Sequence, residues 1–191
     1  MTSVHRFLFP ALWLAWALYW AAMARNVRAT ARREPLASRL LHVVPLALAL
    51  FLLWPRHLHL PVLDDFVAGW TPLQFWLGAV VAATGFVLTV WARGHLGRNW
   101  SGTVTVKQGH ELVTTGPYAF VRHPIYTGLL LALLGSALAQ GRWSGALAVV
   151  VAFAALWRKL RLEERWMREQ FGERYAAYAR RVPALVPRLR R

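Results

Sequence analysis

The stretch HELVTTGPYAFVRHPIYTG, residues 110–128, places polar side chains and turn-forming residues directly before a hydrophobic segment. Two histidines, one arginine, two tyrosines and two prolines fall within its nineteen residues. Pro124 suits the first turn of a helix, because its fixed φ matches the helix and its missing N–H needs no partner there. We therefore expect polar chemistry at the start of a hydrophobic helix.

The composition indicates an integral membrane protein of about one domain. Of the 191 residues 57% are hydrophobic, and the mean hydropathy is +0.35. The net charge is +15, but the basic residues lie between and after apolar runs, which favours anionic lipid head groups over nucleic acid as the partner. The sequence has no cysteine and no histidine or aspartate cluster with metal-ligand spacing, so we expect no metal site.

The apolar runs predict an all-α, polytopic fold with about five transmembrane helices. Runs at residues 7–24, 40–54 and 72–92 come first, and the first is interpreted as a retained helix because no convincing signal-cleavage site follows it. Two shorter runs at 126–140 and 143–157 predict a short helical hairpin. Each would span about 22 Å, less than the ~30 Å hydrocarbon core, so an oblique crossing is expected.

The basic residues predict the orientation. Residues 25–39 carry five arginines and one acid, and residues 93–107 carry two arginines and one lysine. The positive-inside rule places both segments in the cytoplasm, with the N-terminus outside. The stretch 110–128 and the C-terminal segment then lie together on the cytoplasmic side of a single membrane domain, in which residues 1–98 supply helices and residues 99–191 carry the chemistry.

The segment after residue 158 is predicted to form an amphipathic helix. Five apolar residues recur along it at helical spacing: Leu160, Met167, Phe171, Tyr175 and Tyr178. Glu164 occupies the missing place in this stripe, and an ionisable group there needs a partner or a function. Gly172 is expected to loosen the helix midway.

Each polar residue also has a plain structural explanation. An interfacial Arg122 usually anchors to lipid phosphate, and an isolated histidine such as His42 is usually only tolerated. Glu163 and Glu164 among many arginines fit a solvated ion-pair face. Spacing alone therefore predicts a polytopic membrane protein with a cytoplasmic ligand pocket.

The order of the motifs says more than their spacing. The motif residues occur in the sequence His110-x-Leu112-Val113-x-x-Gly116-Pro117-Tyr118, Arg122-His123-Pro124-x-Tyr126-x-Gly128, Glu163-Glu164, Phe171-Gly172-x-x-Tyr175-x-x-Tyr178 and Arg181-Val182-Pro183. Over residues 99–187 this pattern resembles the isoprenylcysteine carboxyl methyltransferase family.

The resemblance implies a membrane methyltransferase that uses S-adenosylmethionine. The cofactor contacts that it implies are His110, Glu111, Leu112, Val113, Tyr118, His123, Pro124, Tyr126, Glu163 and Glu164. Lys159 and Glu163 are the implied catalytic pair, with Lys159 orienting an acceptor carboxylate at a place where the eukaryotic enzymes have arginine. Arg158, Arg161 and Arg122 are further candidates for acceptor binding.

The residue chemistry is compatible with that cofactor. Aromatic faces such as Tyr118 and Tyr126 suit a cation or an adenine ring, and free N–H groups at the helix start near Pro124 suit a carboxylate. A carboxylate acceptor is already ionised and needs no general base, whereas an amine would need one, with His110, His123 or a glutamate as candidates.

Several functions remain open at this point. The expected acceptor is an amphiphile that enters from the bilayer, most simply a prenylcysteine carboxylate, with a phospholipid amine as the alternative. A different class, the NADPH-dependent sterol reductases, resembles the Arg-His-Pro-x-Tyr-x-Gly element followed by an acidic pair. A membrane carrier without chemistry is the last alternative.

Overall fold

A computed structural model of the chain describes residues 3–24, 30–53, 61–67, 70–100, 105–107 and 111–188. Helices dominate it, and the prediction of an all-α membrane protein is confirmed. The elements in chain order are α1 Ser3–Met23, β1 Thr30–Arg33, α2 Leu36–Leu53, the short α3 Pro61–Asp64, α4 Pro72–Leu96, β2 Thr105–Lys107, α5 Pro124–Gln140, α6 Trp143–Phe171 and α7 Glu173–Arg181. Two 3₁₀ turns occupy Gly97–Asn99 and Gly116–Ala119.

Three helices in the described part of the chain, α1, α2 and α4, are long and apolar enough to cross a membrane. Helix α5 is also apolar but has only 17 residues. The predicted total of five spanning helices stays a prediction, as does the orientation of the termini.

Helix α6 corrects the predicted hairpin. Instead of a short apolar helix at 143–157 followed by a separate amphipathic helix, one continuous helix of 29 residues runs from Trp143 to Phe171. At 1.5 Å per residue it is about 43 Å long, so its apolar first half and charged second half form one rigid rod. Gly172, with φ +51°, ends the rod and allows α7 to begin in a new direction.

Helices α4 and α5 pack backbone against backbone through glycines. A Cβ added to Gly78 would lie 2.5 Å from the carbonyl oxygen of Gly135, and one added to Gly85 would lie 2.4 Å from that of Gly128. No side chain fits at such distances, so small residues permit the close approach. This pair forms a spine for the 111–122 segment, in which the Tyr118 hydroxyl donates to the Ala92 carbonyl of α4.

Tryptophans of α1 fasten it to this spine. The indole N–H of Trp13 donates to Ser136 Oγ at 3.0 Å, and that of Trp16 donates to Thr89 Oγ1 at 2.9 Å. At the other end, the buried guanidinium of Arg93 donates to the Met23 carbonyl at 2.6 Å. Helix α1 is thereby held along its length.

A two-stranded antiparallel ribbon was not predicted. Strand β1 pairs with β2, with Arg33 opposite Thr105. The ribbon joins the segment after α1 to the segment after α4, and so brings two basic loops of the sequence together.

The end of the described chain folds back onto the start of α5. The backbone N–H groups of Arg122 and His123 donate to the carbonyls of Pro183 and Ala184 at 2.9 and 3.0 Å. The hydroxyl of Thr127 donates to the Leu185 carbonyl at 2.7 Å. Residues 183–185 therefore form one wall beside the Arg-His-Pro corner.

Candidate active site

A cavity of about 290 Å³ lies where α1, α2, α5 and α6 meet the 111–122 segment. Its polar lining includes Arg122, His123, Tyr126, Lys159 and Glu163. Its apolar lining includes Trp16, Trp20, Leu46, Leu129 and Leu156. Charged groups and an apolar wall thus share one space.

The structure brings most of the predicted site residues to this cavity. The residues from the predicted set that line it are Glu111, Leu112, Val113, Tyr118, Arg122, His123, Tyr126, Lys159 and Glu163. The predicted contact His110 lies outside the described residues.

Four other predicted residues lie elsewhere. Pro124 and Glu164 are buried beside the lining, and Glu164 acts on lining residues through hydrogen bonds. Arg158 and Arg161 belong to a separate pocket, which they form with Leu162 and Arg165. We therefore leave both arginines out of the proposed site.

Glu163 is the polar centre of the cavity. The Tyr126 hydroxyl donates to its Oε1, His123 Nδ1 lies 3.7 Å from Oε2, and Lys159 Nζ lies 3.9 Å from Oε1. The rings of His123 and Tyr126 stack with centroids 5.5 Å apart and planes 4° from parallel. This carboxylate can receive a positively charged or hydroxyl-bearing ligand group from the cavity.

Glu164 has a different role from its neighbour, because its partners hold the corner together. Its Oε1 accepts from Arg122 Nε at 2.8 Å and lies 3.3 Å from His123 Nε2. Burial alone would raise the pKa of Glu164, but the hydrogen bonds from His123 and Arg122 outweigh burial and lower that pKa to about 2. The carboxylate is therefore ionised at neutral pH and holds both side chains in place.

The Arg122 guanidinium is already engaged at all three of its nitrogens. Nε and one terminal nitrogen donate to Glu164, and the other donates to the carbonyls of Ala179 and Val182. Although Arg122 lines the cavity, this bonding makes it a clamp between α6 and the chain after α7. Its predicted place in acceptor binding gains no support from the geometry.

The start of α5 is closed more tightly than the sequence predicted. The N–H groups of Tyr126 and Thr127 both donate to the His123 carbonyl at 3.0 Å, while the His123 N–H donates to Ala184. These three donors are therefore used within the chain. The expected seat for a carboxylate at this helix start gains no support from these three groups and stays a prediction.

Tyr118 forms a neutral part of the cavity wall. Its backbone carbonyl accepts from the Tyr178 hydroxyl at 2.6 Å, and its own hydroxyl donates to the Ala92 carbonyl at 3.4 Å. Burial raises the pKa of Tyr118 well above that of an ordinary phenol. The side chain consequently offers an uncharged aromatic surface at any physiological pH.

Lys159 lies at the inner part of the cavity and is largely buried. Its Nζ is 5.3 Å from the centroid of the Tyr126 ring, within the range of a cation–π contact. The ammonium is thus placed between an aromatic face and the Glu163 carboxylate. An anionic group bound here would meet a positive charge that is largely buried.

The sequence predicted only part of the aromatic wall of the cavity. Trp16 and Trp20 stack with centroids 4.7 Å apart, and Trp20 meets Trp100 edge-on at 5.9 Å. The spacing of the α1 tryptophans indicated one helix face, but not that this face meets Trp100 from a distant loop. Leu46 of α2 had no signal beyond its place in an apolar run.

The described histidine, aspartate and glutamate side chains form no group of three that could hold a metal ion. The cavity has instead the features of an organic ligand site. It combines the carboxylates of Glu111 and Glu163, the Lys159 ammonium, several aromatic faces and an apolar end.

Comparison with known proteins assigns the class. Residues 73–174, which include α4, α5 and α6, match the phospholipid methyltransferase family, and the chain belongs to that family. The similar proteins include isoprenylcysteine methyltransferases, so the predicted family relationship is confirmed.

Three of the similar proteins have names that refer to different functions. The protein-S-isoprenylcysteine O-methyltransferase B of Arabidopsis thaliana is 31% identical over 116 residues, which cover 58% of this chain and 57% of that protein. The cobalt-zinc-cadmium resistance protein CzcN of Cupriavidus metallidurans is 36% identical over 96 residues, 49% of this chain and 44% of the relative. The steroid 5-alpha-reductase DET2 of Solanum lycopersicum is 29% identical over 106 residues, 56% of this chain and 40% of the relative. The chain spans about half the length of the curated relatives it matches.

Proposed function

We propose that this protein is an integral membrane methyltransferase that uses S-adenosylmethionine to methylate the carboxylate of a prenylcysteine-type acceptor. One observation carries the proposal. The polar residues of the family-matching half, Tyr126, Lys159 and Glu163, line the same cavity as membrane-helix residues such as Trp16 and Leu46. A soluble cofactor and an amphiphilic acceptor both have suitable surfaces there.

The donor set fits the cofactor. S-adenosylmethionine has an adenine, a ribose, an ammonium, a carboxylate and a sulfonium, and when bound it supplies an electrophilic methyl group. Glu163 would receive the ammonium or the ribose hydroxyls, and Tyr118 and Tyr126 would face the ring or the cation. Glu111, Leu112 and Val113 close the same space from the 3₁₀-turn side.

The acceptor end of the cavity favours an anion with an apolar tail. Lys159 would hold the carboxylate, while Leu46, Leu129 and Leu156 would contact the chain of the lipid. A carboxylate is ionised near neutral pH, so methyl transfer to it requires no proton removal. The contribution of the protein is then alignment of the two reactants and exclusion of water.

The proposed orientation follows from the basic loops. Arginine-rich segments after α1 and after α4 favour the cytoplasmic side. The same side then holds α7 and the opening to a water-soluble cofactor, while the acceptor arrives from the bilayer.

The deciding experiment supplies purified protein in detergent with radiolabelled methyl donor and two acceptors in separate reactions. One is a farnesylated N-acetylcysteine, and the other is a phospholipid with a primary amine. We expect the label on the carboxyl group of the farnesylated N-acetylcysteine, as a base-labile methyl ester. Label only on the phospholipid would replace the proposed acceptor by the amine.

A reductase is the second candidate, because one relative bears the name of a steroid 5-alpha-reductase. Thermal stability separates the two, since a ligand that binds only the folded state raises it. Stabilisation by S-adenosylmethionine or its demethylated product is expected. Stabilisation by NADPH alone would favour the reductase, and stabilisation without any label transfer would favour a carrier.

A further inference from the structure

A buried acid–base pair lies on α2, outside the residues that match the family. Glu34, just before the helix, is 4% exposed, and His42 within it is 2% exposed. Glu34 Oε1 lies 3.4 Å from His42 Nε2. Ionisable groups buried in an apolar helix bundle are costly, and their presence indicates a role.

Hydrogen bonds connect this pair to α6. The Ser38 hydroxyl donates to Glu34 Oε2 at 3.1 Å. The Arg158 guanidinium in turn donates to the Ser38 carbonyl at 3.1 Å and to its hydroxyl oxygen at 3.2 Å. A hydrogen-bonded chain therefore runs from Glu34 through Ser38 to the turn of α6 that carries Arg158, and the His42 imidazole lies against the Glu34 end of that chain.

The next residue of that turn is Lys159, which lines the cavity. Because Lys159 directly follows Arg158, the hydrogen bonds from Glu34 through Ser38 to Arg158 end at the α6 turn that carries Lys159. Leu46, one helical turn after His42, lines the cavity itself. The pair and the cavity thus occupy adjacent levels of the same helix interface.

A contact that only holds two helices together does not need charged groups. A buried ion pair is often no more stabilising than apolar residues of the same volume, and the remainder of the α2 core consists of residues such as Ala49, Leu52 and Leu53. The polar groups occur instead where Ser38 of α2 meets Arg158, the residue before Lys159. This connection to the Lys159 turn points to control of where the ammonium is placed.

We propose that Glu34 and His42 are positioning residues that hold the Lys159 ammonium toward the anionic head group of the methyl acceptor. The chain Glu34–Ser38–Arg158 fixes the α6 turn, and the pair balances the charge behind it. The inference rests on the proposed function, because the acceptor anion is the ligand of Lys159. It assigns a part in acceptor selection to the half of the chain that lies outside the family match.

The test compares Glu34→Gln, His42→Gln and Ser38→Ala with the unaltered protein in detergent. Two ligands are used: the farnesylated N-acetylcysteine and its carboxamide, which lacks the negative charge. The measured quantities are KM for the carboxylate, the inhibition constant of the amide, and the dissociation constant of S-adenosylmethionine. Leu52→Ala is the matched control, because it removes an equally buried side chain from the same helix away from the pair.

We expect Glu34→Gln and His42→Gln to lower kcat/KM for the carboxylate about tenfold or more, as misplacement of a binding group does. The preference for carboxylate over amide should fall in parallel, with cofactor affinity changed less than twofold. Ser38→Ala should give a smaller loss in the same direction, and Glu34→Asp should recover part of the preference. Leu52→Ala should lower thermal stability and leave the preference intact.

An unchanged preference in both pair variants, with cofactor binding and methyl transfer intact, would overturn this inference and leave the proposed function standing. A loss of preference equal to that in Leu52→Ala would also overturn it, since the effect would then be one of stability. If the unaltered protein binds no S-adenosylmethionine, the proposed function and the inference fail together.

Discussion

Arg122 Nε lies 2.8 Å from Glu164 Oε1, although 42 residues separate the two in sequence. The same guanidinium binds the carbonyls of Ala179 and Val182. One side chain therefore connects the start of α5, the charged half of α6 and the end of α7. Around this connection Glu163 is left facing the cavity.

Removal of the Arg122 side chain should be strongly destabilising. Arg122→Ala leaves the buried Glu164 carboxylate without its main cation, and we expect a loss of about 3–5 kcal/mol in the free energy of unfolding. Unfolding followed by circular dichroism in detergent measures it. The control is Arg168→Ala, which removes a partner 3.5 Å from the same carboxylate whose side chain is 57% exposed, and it should cost at most about 1 kcal/mol. Equal losses would contradict the assignment of Arg122 as the clamp.

Acid should weaken the same connection. The pKa of Glu164 is lowered in the folded protein to about 2, against about 4.3 for an unfolded glutamate. The carboxylate therefore contributes its stabilisation fully above about pH 4.3 and loses it as the pH falls toward 2. The melting temperature should decline across this window, and the decline should be shallower in Glu164→Gln. Identical pH profiles for the two proteins would show that another group controls the acid transition.

Cofactor affinity should depend on the Glu163 charge. Glu163→Gln removes a charged hydrogen-bond acceptor at the cavity, which we expect to cost about 1.5–3 kcal/mol of binding, or more than tenfold in Kd. Titration with S-adenosylmethionine, followed by melting temperature, gives the change. Glu173→Gln is the control, because that carboxylate is exposed on α7 and pairs with Arg180. If both variants bind like the unaltered protein, Glu163 is not a cofactor ligand.

Lys159 should affect the acceptor more than the cofactor. Lys159→Ala is expected to raise KM for a prenylcysteine analogue at least about tenfold, since it removes a charge-assisted contact to the carboxylate. Lys159→Arg should keep much of the activity, and Arg161→Ala should keep all of it, because Arg161 lies in the separate pocket. Michaelis constants for both substrates decide the matter. Parallel losses for acceptor and cofactor would remove Lys159 from its proposed role.

The helix pair behind the site should tolerate no added methyl group. Gly85→Ala would place its Cβ 2.4 Å from the Gly128 carbonyl oxygen, and overpacking of this kind costs about 1–3 kcal/mol or more. The comparison is Gly94→Ala on the same helix, where no atom lies within 4 Å of the added Cβ. That substitution should be neutral or slightly stabilising. Thermal melting of the two variants distinguishes packing from backbone effects.

Several residues that line the cavity could be named from the sequence, and their part in cofactor binding stays a prediction. Glu164 interrupted an apolar stripe, and a buried charge at such a place needs a partner; the structure supplies Arg122 and His123. Tyr126 and Glu163 were implied by a motif resemblance, and they meet in the cavity. Local spacing and motif order were sufficient for these residues because each lies on a regular helix or directly at its start.

Long-range features escaped prediction for physical reasons. The ribbon of β1 and β2 depends on pairing between segments more than seventy residues apart, which no local periodicity records. Helix α6 continues past Trp157 because the residues that follow are charged but still have high helix propensity. The change in hydropathy at Trp157 therefore does not mark the end of the helix. His42 was given a bland explanation, since its partner Glu34 lies before the helix and outside the periodic pattern.

The aromatic wall has a practical optical consequence. Trp16, Trp20, Trp100 and Trp166 all line the cavity, and indole emission responds to polarity and to quenching by a neighbouring purine. Occupancy by an adenosyl compound can therefore be followed in the unlabelled protein by its own fluorescence, with no reporter dye attached. A Trp100→Phe variant would show how much of that signal arises at the loop and how much at the remaining tryptophans.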